Sequence, residues 1–123
     1  MPVPIVRQGG HLIASIHTSL TDEQWLRAQH LLASQIGDAR SRSVIIDVGL
    51  LDVLDSFATR MLRSVAQSIR LRGVETVVVG IAPEVAYAMV RLGLDLADVD
   101  TALDLDDALD LLRRRAESSA DAG

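Results

Sequence analysis

The 123 residues include no cysteine and no lysine, and only three aromatic residues, Trp25, Phe57 and Tyr87. Without cysteine there is no disulfide framework, no thiolate metal site and no sulfur redox chemistry. The N-terminus has no apolar run behind a basic segment, and no window approaches the roughly 18 uninterrupted apolar residues of a membrane span, so the reading is of a soluble, unexported, cytoplasmic protein. Basic residues are outnumbered, with 12 arginines against 17 acids and a formal net charge of -5. That balance argues against general nucleic-acid binding, which rests on cationic neutralisation of phosphates. Glycine-rich phosphate loops are also missing, since "GLLDVLDS" (Gly49 to Ser56) has neither the glycine spacing nor the lysine. His11, His17 and His30 form no HxH or HxxxH pair, and no "GxSxG" elbow surrounds a serine, so neither a metal nor a cofactor nor an enzyme activity is expected.

What remains is a regular alternation of strand and helix signals. Val3 to Arg7 and His11 to His17 read as strands joined at Gly9-Gly10, with Pro4 suited to an edge. Thr21 and Gln24 form a capping box with Leu20 and Trp25 at the staple positions; the helix presents Trp25, Ala28, Leu32 and Ile36, and Gly37 is read as its stop. "SVIIDV" (Ser43 to Val48) and "TVVVGI" (Thr76 to Ile81) are β-branched runs of the kind buried on both faces of a sheet. Between them a helix from about Phe57 to Leu71 turns Met61, Leu62, Val65 and Ile69 inward and Arg60, Arg63, Gln67 and Arg70 outward, which implies a parallel crossover. Pro83 starts a further helix with Val85, Ala86, Met89 and Val90 apolar and Gly93 as its stop. A short strand at Val99 to Ala102 precedes a last helix from Asp104, which uses Leu105, Ala108, Leu109 and Leu112 and ends in Arg113, Arg114 and Arg115. The fold class is therefore α/β: one domain over residues 1–117, a mixed β-sheet covered by about four α-helices, and a flexible tail at 118–123.

Two features invite chemistry. Asp95 to Asp110 holds seven aspartates and no basic residue, but lacks the central glycine and closing glutamate of a calcium loop. These acids alternate with Leu94, Leu96, Val99, Leu103 and Leu105, the pattern of a solvated face on core elements and an acidic patch able to steer a basic partner. The second feature is Ser56, which stands between Asp55 and Phe57 where a strand gives way to a helix, with Asp47 and Asp52 nearby. Either Asp55 or Ser56 caps the helix. As a nucleophile Ser56 lacks a base close in sequence. As a modification site it is well placed, because a phosphate at a helix N-terminus meets free amides and the positive end of the dipole, and Arg60 lies one turn along. Phosphorylation adds about -1.5 to -2 charges. An acidic group within about 4 Å is then repelled by on the order of 4 kcal/mol per charge at an effective dielectric of 20, whereas a hundredfold loss of affinity needs about 2.7 kcal/mol.

The segment "VIIDVGLLDVLDSFATRML" resembles the centre of the STAS domain, a family named for sulfate transporters and anti-sigma-factor antagonists. "DSF" in place of the commoner Asp-Ser-Ser-Gly, with "GIAPEVA" (Gly80 to Ala86), "RLGLDL" (Arg91 to Leu96) and "TALDLDDALDLL" (Thr101 to Leu112), is similar to the RsbS-like branch, the single-domain scaffolds of the bacterial stressosome. The resemblance spans about Val3 to Arg115 and implies a non-enzymatic phosphoprotein that dimerises, assembles with larger RsbR-like paralogues and sequesters a serine/threonine kinase of the RsbT type. By position it implies Ser56 as the phosphorylation site, and the exposed Asp55, Phe57, Arg60 and Arg63 are expected to contribute to the kinase-facing surface. Val79 stands where RsbR-like paralogues commonly carry a threonine, which favours the single-site scaffold, and Thr59 is read as an ordinary helix residue. The alternative within the family is a stand-alone anti-sigma-factor antagonist acting on an anti-sigma kinase.

Overall fold

A computed structural model describes residues 3–39, 41–51, 54–91 and 99–122. The chain runs β1(Ile5–Gln8), β2(His11–Ser15), α1(Asp22–Ala39), β3(Ser43–Asp47), α2(Ser56–Arg70), β4(Glu75–Val79), α3(Pro83–Arg91), β5(Asp100–Ala102) and α4(Leu105–Ala122). The strands form one mixed sheet in sequential order, β1 antiparallel to β2 and every later neighbour parallel. Gly9 takes φ +61° in the β1–β2 turn, a conformation that costs glycine little. Pro4 contributes only its carbonyl, which accepts from the Ser15 amide at 3.1 Å.

The central strands bury residues on both faces because helices cover both. Leu12, Ala14, Val44, Ile46 and Val78 pack with Trp25, Ala28, Leu32 and Ile36 of α1 and Leu62, Val65 and Ile69 of α2. On the opposite face Ile45, Val77 and Val79 meet Ala108 and Leu112 of α4. The capping box of α1 is closed in both directions, Thr21 N–H to Gln24 Oε1 at 2.9 Å and Gln24 N–H to Thr21 Oγ1 at 3.2 Å.

Several boundaries differ from the sequence expectation. Helix α1 continues through Gly37 to Ala39, because that glycine does not take the left-handed conformation that would end the helix. Strands β1 and β2 cover Ile5–Gln8 and His11–Ser15 only. Helix α4 runs on to Ala122, so Arg113 to Arg115 lie within it and residues 118–122 extend the helix where a tail is expected; the segment has no proline or glycine before Gly123 to break it. Among the apolar positions of α3 only Met89 is buried, while Val85 and Val90 are exposed. Leu103, expected in the core, is also exposed, because β5 ends at Ala102 and leaves it in the loop before α4. Gly93, Leu94 and Leu96 lie outside the described residues.

The acidic stretch is partly spent on structure. Asp104 caps α4 by accepting from the Asp107 amide at 2.9 Å, and Asp110 pairs with Arg113 and Arg114. Asp100, on the first residue of β5, takes a two-pronged contact from Arg115 at 2.5 and 2.8 Å. The Arg115 hydrogen bond holds the Asp100 carboxyl below the usual carboxylate range, against a smaller opposing effect of burial and with further help from the charges of Arg115 and Arg70.

Two consequences follow from this framework. Gly80 has φ +93°, and a Cβ there would lie 2.5 Å from backbone atoms of Gly49, so Gly80→Ala should lose about 2–4 kcal/mol in urea unfolding. The Asp100–Arg115 pair is over a third exposed on both sides, which limits it to roughly 0.5–1 kcal/mol at neutral pH. Because the Asp100 pKa is lowered on folding, that stability is present above the unfolded carboxylate value of about 3.9 and is lost as pH falls through the lower folded value. Unfolding curves of Arg115→Ala and the parent chain should therefore differ at pH 7, begin to converge near pH 4 and meet only below the lowered folded value.

Candidate functional site

The C-terminal edge of the parallel strands is held together by its backbone. The Val48 amide donates to Val79 O at 2.9 Å, and the Gly80 amide to Ala102 O at 3.4 Å. Gly49 and Gly80 touch through their backbones, and Asp47 Oδ1 accepts from the Gly49 amide at 2.8 Å. The loops leaving β3, β4 and β5 thus form one surface, with α2 rising from it at Ser56.

Asp55 is the cap of α2. Its backbone is extended (φ -80°, ψ 178°), and its Oδ1 accepts from the Ala58 amide at 2.8 Å. The Asp55 carbonyl accepts from both the amide (3.0 Å) and the hydroxyl (2.9 Å) of Thr59. Thr59 is buried with its hydroxyl engaged, a structural helix residue. With Asp55 serving Ala58 and Thr59, the amides of Ser56 and Phe57 are left without a partner in the first turn among the described residues. Ser56, the first residue of the helix, is half-buried and needs no part in capping.

Helical spacing puts Ser56, Arg60 and Arg63, at i, i+4 and i+7, on one stripe of α2. Arg60 is exposed and forms no ion pair among the described residues; Arg63 is half-buried. Phe57 departs from the expectation of an exposed contact. It is half-buried against the core, beside Leu20, Trp25 and Leu51, where a cavity of about 50 Å³ reaches the base of the first turn of α2. The buried indole Nε1 of Trp25 has no partner in that region among the described residues. The ring direction follows from the helix: one residue beyond Ser56 turns Phe57 by about 100° toward α1. Asp47 is drawn into its own loop, and Asp52 lies outside the described residues.

Two exposed leucines, Leu50 and Leu103, flank the same end of the sheet, in the loops after β3 and β5. Sequence reasoning missed both, placing Leu103 in the core by its alternation with aspartates; their signal was a large apolar residue next to a turn. The larger clefts open at the other end of the strands. One, of about 730 Å³, runs between α4 and His11, Arg42 and Ser43. Another, of about 460 Å³, lies between the C-terminal end of α2 and Glu75, Thr76 and Asp100. No group of three or more acid or histidine side chains suited to a metal occurs among the described residues. His11 Nδ1 instead lies 2.5 Å from Ser43 Oγ. No helix among the described residues is long and apolar enough to cross a membrane.

If Asp55 is the cap, Asp55→Ala should destabilise the fold by about 1 kcal/mol, and Asp55→Asn by much less. Ser56→Ala should leave thermal unfolding almost unchanged, which circular dichroism can check on all three variants.

Comparison with known proteins places these features in context. The family model described as "STAS domain" matches residues 3–108. RsbT co-antagonist proteins RsbRD and RsbRA of Bacillus subtilis are 33% identical over 86 residues and 31% identical over 90 residues, covering 68% and 73% of this chain. The chain spans only 31% of the length of either relative. A structure of RsbS from Moorella thermoacetica, carrying a serine-to-glutamate substitution, is 31% identical with a TM-score of 0.78 and covers 94% of this chain and 97% of its own. A chain from the molecular architecture of the stressosome, a signal integration and transduction hub, is 30% identical with a TM-score of 0.76, covering 92% and 98%.

Proposed function

The chain belongs to the STAS-domain family, and from that premise we propose that it is a non-enzymatic, cytoplasmic scaffold of the bacterial stressosome that holds a serine/threonine kinase of the RsbT type and releases it when Ser56 is phosphorylated. The carrying observation is the placement of Ser56: first residue of α2, accessible, free of capping duty and on a stripe with Arg60 and Arg63. The likeness to RsbS and to a stressosome chain supports the stressosome role. The RsbT co-antagonist relatives support the choice of kinase type, and with it assembly alongside RsbR-like paralogues; self-association as dimers is part of the same proposal.

The chemistry of release follows from the local geometry. A phosphate on Ser56 sits at the positive end of α2, where the Ser56 and Phe57 amides and Arg60 offset its charge, so the domain stays folded. The partner experiences the other side of that charge. Before phosphorylation it can cover Leu50 and Leu103 and approach the Asp55, Arg60 and Arg63 surface. Afterwards, burying a dianion at the contact costs desolvation, and any acidic group of the partner near Ser56 is repelled. Phe57 acts from beneath, fixing the start of α2 on the core so that the added charge is presented at a set position.

Incubation with an RsbT-type kinase and ATP should place one phosphate on Ser56 by mass spectrometry, with none on the Ser56→Ala protein. Ser56→Glu should weaken kinase binding about a hundredfold in calorimetry, the effect of about 2.7 kcal/mol. Equal labelling of Ser56→Ala would remove the assignment. Elution with an RsbR-like partner as a small species rather than a megadalton-scale particle would point to the stand-alone antagonist instead.

A further inference from the structure

The wider of the two clefts at the far end of the strands, about 730 Å³, has the size of a small-molecule site and is walled by both apolar and charged side chains. Strand register explains where it lies. His11, Ser43 and Glu75 are partners across β2, β3 and β4, while the next residues on β2 and β3, Leu12 and Val44, pack into the core shared with α1 and α2. Alternation therefore turns His11, Ser43 and Glu75 to the α4 side. Helix α4 packs on β3, β4 and β5, and the cleft runs between its flank and the start of β2 and β3. Asp106, Leu109, Arg113 and Ala116 make that flank, one stripe at helical spacing, with Leu112 buried behind it.

The two ends of the cleft differ in charge. Asp106 and Arg113 stand two turns apart, about 10.5 Å along the helix. At the Arg113 end, Arg115 is engaged by Asp100 and Glu75 and Arg113 by Asp110, but Arg42 forms no ion pair among the described residues. Arg42 is held close to His11. Its amide donates to Gly10 O at 2.8 Å, and a Cβ on Gly10 would stand 3.4 Å from Arg42 Cδ, so the arginine stem lies over the β1–β2 turn. His11 Nδ1 meets the buried Ser43 Oγ at 2.5 Å, which leaves Nε2 as the ring atom available to a ligand. Where the Ser43 hydroxyl donates, Nε2 of the neutral ring carries the proton and is a donor. A guanidinium and a ring N–H side by side suit one carboxylate, and the bonds to it are charge-assisted. Asp106, at the other end, lies in the first turn of α4, where the helix dipole favours its charge without a partner. It disfavours a second anionic group on any occupant.

We propose that this cleft binds a small molecule with an apolar body and a single carboxylate, the carboxylate on Arg42 and His11 Nε2 and the body along Leu109 and Ala116. The cleft lies at the opposite end of the strands from Ser56, so the site stands whether or not that serine is a switch.

Octanoate, titrated into the full chain and followed by backbone amide shifts in NMR, tests it. The shifts should saturate and centre on His11, Arg42, Ser43 and Leu109. Arg42→Ala, at an exposed position, should weaken octanoate binding about tenfold, the effect of losing one charge-assisted contact, and Arg42→Lys should weaken it less. Ala116→Trp, which fills the cleft from an exposed helix position, should weaken it at least tenfold; circular dichroism checks that each variant is folded. Octanol and octylammonium should bind the parent chain at least tenfold more weakly than octanoate. Shifts that do not saturate or that centre on Leu50 and Leu103, an alcohol or amine that binds as well as the acid, or an Arg42→Ala chain that binds like the parent would each overturn the proposal. Octanoate affinity that falls as protein concentration rises would overturn it too, because a second copy would then be covering the cleft.

Discussion

The contact between the Gly49 and Gly80 backbones sets the geometry on which the rest of this molecule's functional end depends. It brings the loops after β3 and β4 closer than any pair of side chains would allow. Asp47 then closes its own loop through the Gly49 amide, and Gly80 reaches across to Ala102. Beside these three strand ends α2 begins, capped by Asp55 from an extended backbone. The proposed switch at Ser56 would need that kind of fixed mount, since an added charge works by where it is as much as by its size.

Division of labour among neighbours explains how one short stretch could serve stability and the proposed switch together. Asp55 satisfies two residues of the helix, Thr59 turns its hydroxyl back to the Asp55 carbonyl, and Phe57 anchors the turn to α1. Among the described residues Ser56 takes no part in the cap, so under the proposed function its chemistry can change without removing the cap. Had the serine been the cap, modification would have removed a helix-stabilising bond, and switching and folding would have been coupled.

The fold was largely legible in the sequence because its signals are local and redundant. Thr21 and Gln24 mark the start of α1, and the runs at Ser43 and Thr76 announce buried parallel strands. The failures share one cause: pattern shows which residues are apolar but not whether anything stands opposite them. Val85, Val90 and Leu103 have the spacing of core residues and no core beside them, while Phe57 looks like a surface contact and packs inward. Gly37 failed for a related reason, since glycine permits a helix to end without requiring it. At the candidate site the serine and its cap could be read directly. The choice between them could not, because both residue types accept the same hydrogen bonds.

Trp25 gives this arrangement a spectroscopic side. It is the chain's single tryptophan, buried where α1 meets the first turn of α2, its indole nitrogen without a partner among the described residues beside a void bordered by Phe57 and Asp55. Indole emission responds to the polarity and electric field around the ring, and the same small void is lined by Asp55, Phe57 and Ala58 of the α2 start. The molecule therefore carries an intrinsic optical reporter beside the first turn of α2, usable without a label and without a cysteine or lysine to attach one.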